Sequence, residues 1–237
     1  MIFTSDSFLK DQRRYKRFRV AEKEALETVQ TMFKEKELSF PNTQLFIRVF
    51  KKEERVELWA YSEKKSEYVL VKYYEVCEQS GELGPKRKEG DRQVPEGVYF
   101  IDRFNPFSDY YLSLGINYPN ASDKILGDKK RPGGDIFIHG RCVTIGCIPI
   151  EDDPIKELYL ICVYAKNSGQ KRIPVHIFPT VMNTAGMDYL AEEADDDDRT
   201  RSFWENLRPV YLSFQNDKQL NKITITALGR YIVHENL

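Results

Sequence analysis

The chain has 237 residues, with 36 Lys plus Arg against 37 Asp plus Glu. A hydrophobic fraction of 41% and a charged fraction of 31% exclude a disordered or fibrous chain, and the length is enough to bury a sizeable core. The near-zero net charge provides no global basic surface, so nucleic acid is not an expected partner.

No run of 18 apolar residues is present to span a membrane, and the first residues lack the apolar stretch of a secretion signal. The expectation is either a cytosolic protein or a chain shown after a removed signal or anchor. A local basic stretch at Arg13, Arg14, Lys16, Arg17 and Arg19 reads as one wetted face of a helix.

Residues 17–37 are predicted helical. Phe18, Ala21, Ala25, Val29, Met32 and Phe33 recur at steps of three and four, a stripe that suits core packing. Pro41 ends the element. The runs 45–50, 56–61 and 67–73 are rich in β-branched and aromatic residues, and charged turns separate them. They predict an antiparallel meander. Residues 79–97 carry Gly, Pro and many charges, the composition of a long loop able to hold functional groups.

Strands are predicted at 98–101 and 110–114, with turn-like NPFSD between them and NYPNASD after them. KKRPGG at 129–134 is a second basic loop, and DIFIHG forms a short strand ending at His139. Further on, Asp153 as N-cap and Pro154 at the first helical position open a helix. Its apolar face is Ile155, Leu158, Tyr159, Cys162 and Val163, and Gly169 is its stop. Residues 173–178 read as a strand. The acidic run 191–198 is expected in water, without the glycine-pivoted spacing of a calcium loop. A short helix at 201–207 with Phe203 and Trp204 inward, then strands in PVYLSF and KITITALGRYIVH, complete the expected elements.

Chemistry concentrates in FIHGRCVTIGCIPI. A thiolate attacks an acyl carbon well, but a free thiol is mostly protonated at neutral pH and needs a base. Cys147 is the candidate nucleophile and His139, eight residues earlier, its base. The N–H groups of Gly146 and Cys147 are candidate donors to the oxygen of a tetrahedral intermediate. The Gly140 carbonyl is a candidate acceptor for His139 Nδ1–H, setting the tautomer that a carboxylate sets in serine triads. A buried cysteine beside a core-edge histidine is the competing reading. CxxxxC with one nearby His makes a poor zinc site, and neither a metal nor an organic cofactor is expected. Cys142 is left between a packed thiol, a minor contributor to the site and a disulfide partner. Cys77 and Cys162 read as packing residues, His176 as a structural histidine and His234 as a surface one.

This stretch resembles the signature of the L,D-transpeptidase (YkuD) catalytic domain, in which an IHG-type histidine precedes a GC-type cysteine. His139, Gly140 and Cys147 match the family's base, the residue whose carbonyl orients it, and the nucleophile. Thr144 matches the small hydroxyl residue before the cysteine. Ile145 stands where most members have a second histidine, Pro149 where most have an arginine, and the His–Cys spacing is short. These departures, together with Cys142, ELGPKRKEGDRQVPEGVYFID and LSLGINYPN, resemble a divergent YafK-type or murein transpeptidase-like branch.

The resemblance implies a mainly β fold with accessory helices, a mixed β-sandwich. The expected division is a helical segment at 1–43, a catalytic domain at 44–190, and an acidic loop, helix and strands at 191–237. It also implies a cysteine L,D-transpeptidase acting on peptidoglycan stem peptides through a thioester at the diaminopimelate carbonyl. The alternatives are an L,D-type amidase that releases a linked lipoprotein or stem, or a non-catalytic peptidoglycan-binding protein. The expected protein is a monomer in the periplasm or cell envelope. Candidate substrate contacts are Arg141, Thr144, Tyr118, Asn120, Lys86 and Arg92, with Arg87, Lys88 and Lys129 to Arg131 as further basic candidates.

Overall fold

The computed structural model describes residues 6–234; residues 1–5, part of the stretch searched for a leader, and 235–237 lie outside that range. Two helices, α1 (Asp6–Gln12) and α2 (Lys16–Glu35), precede strands β1 (Leu45–Phe50), β2 (Arg55–Ser62) and β3 (Glu67–Glu75). Next come β4 (Gly97–Asn105), β5 (Ser113–Ile116), α3 (Ala121–Leu126), β6 (Phe137–His139) and β7 (Ile148–Pro149). The chain ends with α4 (Asp152–Asn167), β8 (Pro174–Phe178), α5 (Thr184–Glu193), α6 (Asp198–Asp217), β9 (Lys222–Ile225) and β10 (Tyr231–His234).

Eight strands form one mixed sheet in the order β3-β2-β1-β8-β4-β5-β6-β7, with β9–β10 as a separate hairpin. The expected meander is present: Leu45 pairs with Ala60 and Phe50 with Arg55 in antiparallel register. β1 also pairs in parallel with β8, so it sits inside the sheet and is buried along its whole length. β4 serves two neighbours in succession. Its first half pairs with β8, its second half with β5, and a register shift lies between Ile101 and Arg103. Such an irregularity bends a strand and increases its twist. The sheet curls until its ends approach, where the chain after β3 meets β7: Cys77 N donates to Pro149 O at 3.1 Å.

Alternation along β1 divides the core. Leu45, Ile47 and Val49 join one apolar cluster with Phe18, Ala21, Ala25, Val29 and Phe33 of α2 and the inner face of α4. On the other face Phe46 packs with Trp59, Tyr68 and Phe214, and Phe50 with Phe178, Trp204 and Tyr211. The N-terminal helices therefore cover one face of the sheet and α6 covers the other. Arg48, between Phe46 and Phe50, is buried and satisfied by Glu57 at 2.7 Å and Gln215 at 3.2 Å.

Several elements differ from expectation. PVYLSF is not a strand: it continues α6, whose buried stripe runs Phe203, Trp204, Leu207, Val210, Tyr211 and Phe214. Pro209 lies inside this helix at a cost of roughly 3 kcal/mol, which burial of the stripe offsets. α4 starts before Asp153, with Glu151 as N-cap and Pro154 at its third position. The strand expected at 110–114 begins at Ser113, since Tyr111 takes a left-handed conformation with φ 72°. NYPNASD is not all turn: Asn120 caps α3 in a reciprocal capping box with Asp123. The acidic run closes α5 and opens α6, where Asp197 accepts from Arg199 N and Thr200 N.

The loop 79–97 is anchored by a buried ion pair. Lys51 Nζ donates to Glu96 Oε1 at 2.9 Å and to the carbonyls of Gly84 and Val94. Glu96 also accepts from Gly84 N at 2.8 Å and Trp204 Nε1 at 2.6 Å. Removing one member leaves the other charged and buried. Lys51→Met should therefore lower stability by about 3–5 kcal/mol in urea unfolding, and the Lys51→Met, Glu96→Gln pair should recover part of that loss.

Candidate active site

The site forms where the curled sheet ends. β6 and β7 are parallel, with Ile138 opposite Ile148 and His139 opposite Pro149. Cys147 lies immediately before β7, and its Sγ lies 3.6 Å from the Asp135 carbonyl, two residues ahead of β6, so the thiol sits beside the segment that leads to His139. The parallel pairing brings the backbone that precedes Ile148 beside the strand that ends at His139.

The candidate base, His139, is tightly held. His139 is buried, and its Nδ1 lies 2.5 Å from Gly140 O. A proton on Nδ1 donated to that carbonyl leaves Nε2 with its lone pair, the tautomer of a general base. The His139 carbonyl accepts from Ile150 N at 2.9 Å, and Tyr110 tilts over the imidazole at a centroid distance of 4.7 Å. Gly140 is required sterically, because a Cβ there would lie 2.5 Å from Asp152 Oδ1 and 3.0 Å from Tyr110 O. The same Asp152 oxygen accepts from Arg141 N at 2.9 Å and fixes the left-handed turn after Gly140.

The thiol is half-buried and free. It lies 3.6 Å from the Asp135 carbonyl, toward which it donates. Burial pushes Cys147 above the ordinary thiol range; the Phe137 backbone N–H opposes this, the Asp135 carboxylate adds to it, and the Lys86 charge opposes it. Burial also holds His139 below the ordinary imidazole range, against the Gly140 carbonyl, which favours the proton. Both shifts favour a neutral thiol beside a neutral imidazole in the resting state.

Thr144 organises the cysteine loop. Its hydroxyl accepts from Gly146 N at 3.1 Å and Cys147 N at 2.8 Å, and donates to Cys147 O at 2.9 Å. One proton and two lone pairs are thereby used. The two amides expected to face a tetrahedral oxygen are held inside the loop in this state, and Thr144 has no bonding capacity left for substrate. Gly146 adopts φ +134° and lies under the Gln93 carbonyl, which a Cβ would approach to 3.1 Å.

Of the remaining expected contacts, Lys86 is buried with its ammonium on Asp91 Oδ1 at 2.6 Å and Lys88 O at 3.0 Å, close enough for its charge to act on the thiol. Arg92 is exposed, on the backbone segment that runs over Gly146. Arg141 is exposed beside the base. Tyr118 and Asn120 are buried within the fold: the Tyr118 hydroxyl donates to Pro132 O at 2.9 Å, and Asn120 Nδ2 donates to Val98 O and Tyr231 Oη at 3.0 Å each. Their polar groups are spent on loop structure. Tyr110, Gln93, Asp135 and Asp152 contribute to the site without a sequence signal, since each acts through a backbone atom or a contact that only the fold creates.

Cys77, expected as a packing residue, and Cys142 form a disulfide with a Cα–Cα distance of 5.6 Å across 65 positions. The sequence offers no local cue for this pairing; it follows from the meeting of the sheet's ends, which lays residue 77 along β7. The bond ties the loop between His139 and Cys147 to the end of β3.

Residues 46–177 match the family described as the L,D-transpeptidase catalytic domain (YkuD). The YafK proteins of Escherichia coli strains K12 and O157:H7, described as candidate L,D-transpeptidases, are each 32% identical over 206 residues, covering 86% of this chain and 79% of theirs. Among solved structures, the helical cell shape determining protein Pgp2 from Campylobacter jejuni aligns with TM-score 0.46 and 19% identity, covering 78% of this chain and 73% of that one. Bd1075 of Bdellovibrio bacteriovorus aligns with TM-score 0.43 and 21% identity, covering 84% and 79%. The chain belongs to the L,D-transpeptidase catalytic domain (YkuD) family, on the length of that match and on its relation to YafK.

With Cys162 fully buried and the other two cysteines bonded to each other, alkylation reports on Cys147 alone. Its rate should rise with a midpoint above the ordinary thiol pKa of about 8.5. A midpoint below 7 would contradict a neutral resting thiol. Thr144→Val should lower turnover by about 10–100-fold through loss of the loop's internal bonds, while Thr144→Ser restores most of it.

Proposed function

We propose that the protein is a cysteine-dependent L,D-transpeptidase acting on peptidoglycan stem peptides at the diaminopimelate carbonyl. The observation that carries this reading is the commitment of His139 Nδ1 to Gly140 O, with the free thiol of Cys147 immediately before β7, the strand paired to β6.

Cys147 Sγ–H transfers its proton to His139 Nε2 as the sulfur attacks the carbonyl on the L-centre side of diaminopimelate. The imidazolium is supported by the Gly140 carbonyl at Nδ1 and returns the proton to the departing D-alanine amine. A thioester remains on Cys147. An amine from a second stem peptide then gives up a proton to His139, attacks the thioester and releases the thiol. Water in place of that amine yields hydrolysis at the same carbonyl, including release of a linked lipoprotein. Residues of the chain alone account for each proton transfer.

Arg141 and Arg92, exposed on either side of the loop, are the candidate contacts for stem-peptide carboxylates. The Cys77–Cys142 bond suits the oxidising conditions of a cell envelope, where we place the protein. No helix among the described residues is long and apolar enough to cross a membrane.

The test is mass spectrometry of stem peptides incubated with the wild-type protein and with Cys147→Ala. Cross-linked or exchanged species from the wild type alone establish transpeptidation, and shortened or released peptides without exchange establish hydrolysis. Identical products from both proteins, on intact and lipoprotein-linked substrates, would remove Cys147 from the role. The pH profile of kcat/KM should hold its plateau as pH falls through about 6.5, the ordinary histidine value, because burial lowers the His139 pKa and keeps the base unprotonated. A fall centred above 6.5 would contradict this.

A further inference from the structure

A second cleft, of about 840 Å³, lies between the Arg87–Lys88 segment, the end of α3, the first turn of α6 and the β9–β10 turn. Its size is in the range that takes a drug-sized ligand. Each carboxylate lining it has a local partner at one oxygen or more. Asp128 accepts from Lys130 N and Arg131 N at 2.8 and 2.9 Å. Asp197 caps α6, and Asp198 pairs with Arg201 at 3.1 Å.

The cations are matched less closely. Among the described residues Lys88 and Arg199 have no close ion pair, and their charges bear on Asp128 and Asp197 of the same cleft. Arg230 Nη1 reaches only Ser202 Oγ at 3.5 Å. Arg87 Nη1 stands 3.6 Å from Asp123 Oδ1, and both atoms are buried without a hydrogen-bond partner. The cleft thus presents Arg199 and Arg230 as its exposed guanidinium donors, while Arg87 Nη1 is buried against Asp123. It is also apolar in part: Leu126 and Leu228 on its walls are 42% and 73% exposed.

The cleft is linked to the thiol through one loop. The Asp91 carboxylate binds Lys86 Nζ and the backbone N–H groups of Arg87, Lys88 and Gln93. This single group sets Lys86 toward Cys147 and the next two cations toward the cleft.

We infer that the cleft is an exosite for a carboxylate-bearing peptide segment with short aliphatic side chains, carried by the same polymer as the reacting stem and held apart from the reacting carbonyl. The inference rests on the reading of the substrate given above. Guanidinium groups match carboxylates in fork geometry, and the exposed leucines suit methyl and methylene groups. A phosphate group would use the cations and leave the leucines wet.

The test compares the full chain carrying Cys147→Ala with the same chain also carrying Arg199→Ala and Arg230→Ala, both surface positions. Binding to purified insoluble peptidoglycan is measured with its carboxylates native or converted to carboxamides, and with inorganic phosphate as competitor. The expected result is binding weakened about tenfold by the arginine substitutions, a similar loss on the amidated wall, and no displacement by phosphate. Equal binding by both proteins overturns the exosite, as does equal binding to native and amidated wall. Displacement by phosphate overturns the assignment to a carboxylate peptide. With Cys147 retained, turnover of a soluble stem peptide should be unchanged by the arginine substitutions. If the wild-type chain shows no such turnover, the catalytic reading fails while the binding comparison still decides the exosite.

Discussion

The buried carboxylate of Glu96 is the point on which the site's architecture depends. Its two oxygens collect the Lys51 ammonium, the Gly84 amide and the Trp204 indole, from the end of β1, the long loop and α6. A segment rich in Gly, Pro and charge has little apolar surface with which to order itself. Here it is ordered through buried polar bonds, each expensive to leave unmade. Once the loop is fixed at that point, Asp91 shapes its turn, Lys86 is set near the thiol and the Gln93 carbonyl closes over Gly146. Cys147, the proposed nucleophile, thus has one wall from the sheet and one from a loop that the sheet and α6 hold jointly.

The pair His139 and Cys147 follows a different principle. β6 ends at His139 and β7 begins one residue after Cys147, so the pairing of those two strands governs how the segments that carry the two residues approach. Burial favours the neutral form of each group, so the proposed reaction depends on a proton moving within the site. A bound acyl group that excludes water strengthens the coupling between the two groups when that proton moves.

Much of this was legible in the sequence, and the remainder was hidden for identifiable reasons. The family was readable from the His139–Cys147 segment because its motif is local, while the spacing of the two residues alone left a buried cysteine beside a core-edge histidine as a competing reading. The α2 stripe and the β1–β3 meander were readable because their periodicity matches their burial. PVYLSF misled because it is short, apolar and led by proline; extending the window back to Phe203 reveals spacings of three and four that only a helix satisfies. The α3 cap uses Asn and Asp in place of the commoner Ser or Thr with Glu. Thr144 illustrates a harder limit: the sequence marks it as a hydroxyl beside the nucleophile but gives no sign that the loop itself consumes all its bonding capacity. Tyr118 and Asn120 likewise turn inward. The Cys77–Cys142 pairing depends on the two ends of an eight-stranded sheet meeting, and no local window contains both.

That disulfide has a topological effect. It closes a covalent ring around everything from the long loop through β6, and Cys147 lies outside the ring. A single proteolytic cut between residues 78 and 141, where both exposed basic loops lie, opens the ring without releasing either piece. The base, the nucleophile and the strands that register them would stay on one molecule. The chain can thus be nicked within this span and still hold His139 and Cys147 in one covalent unit.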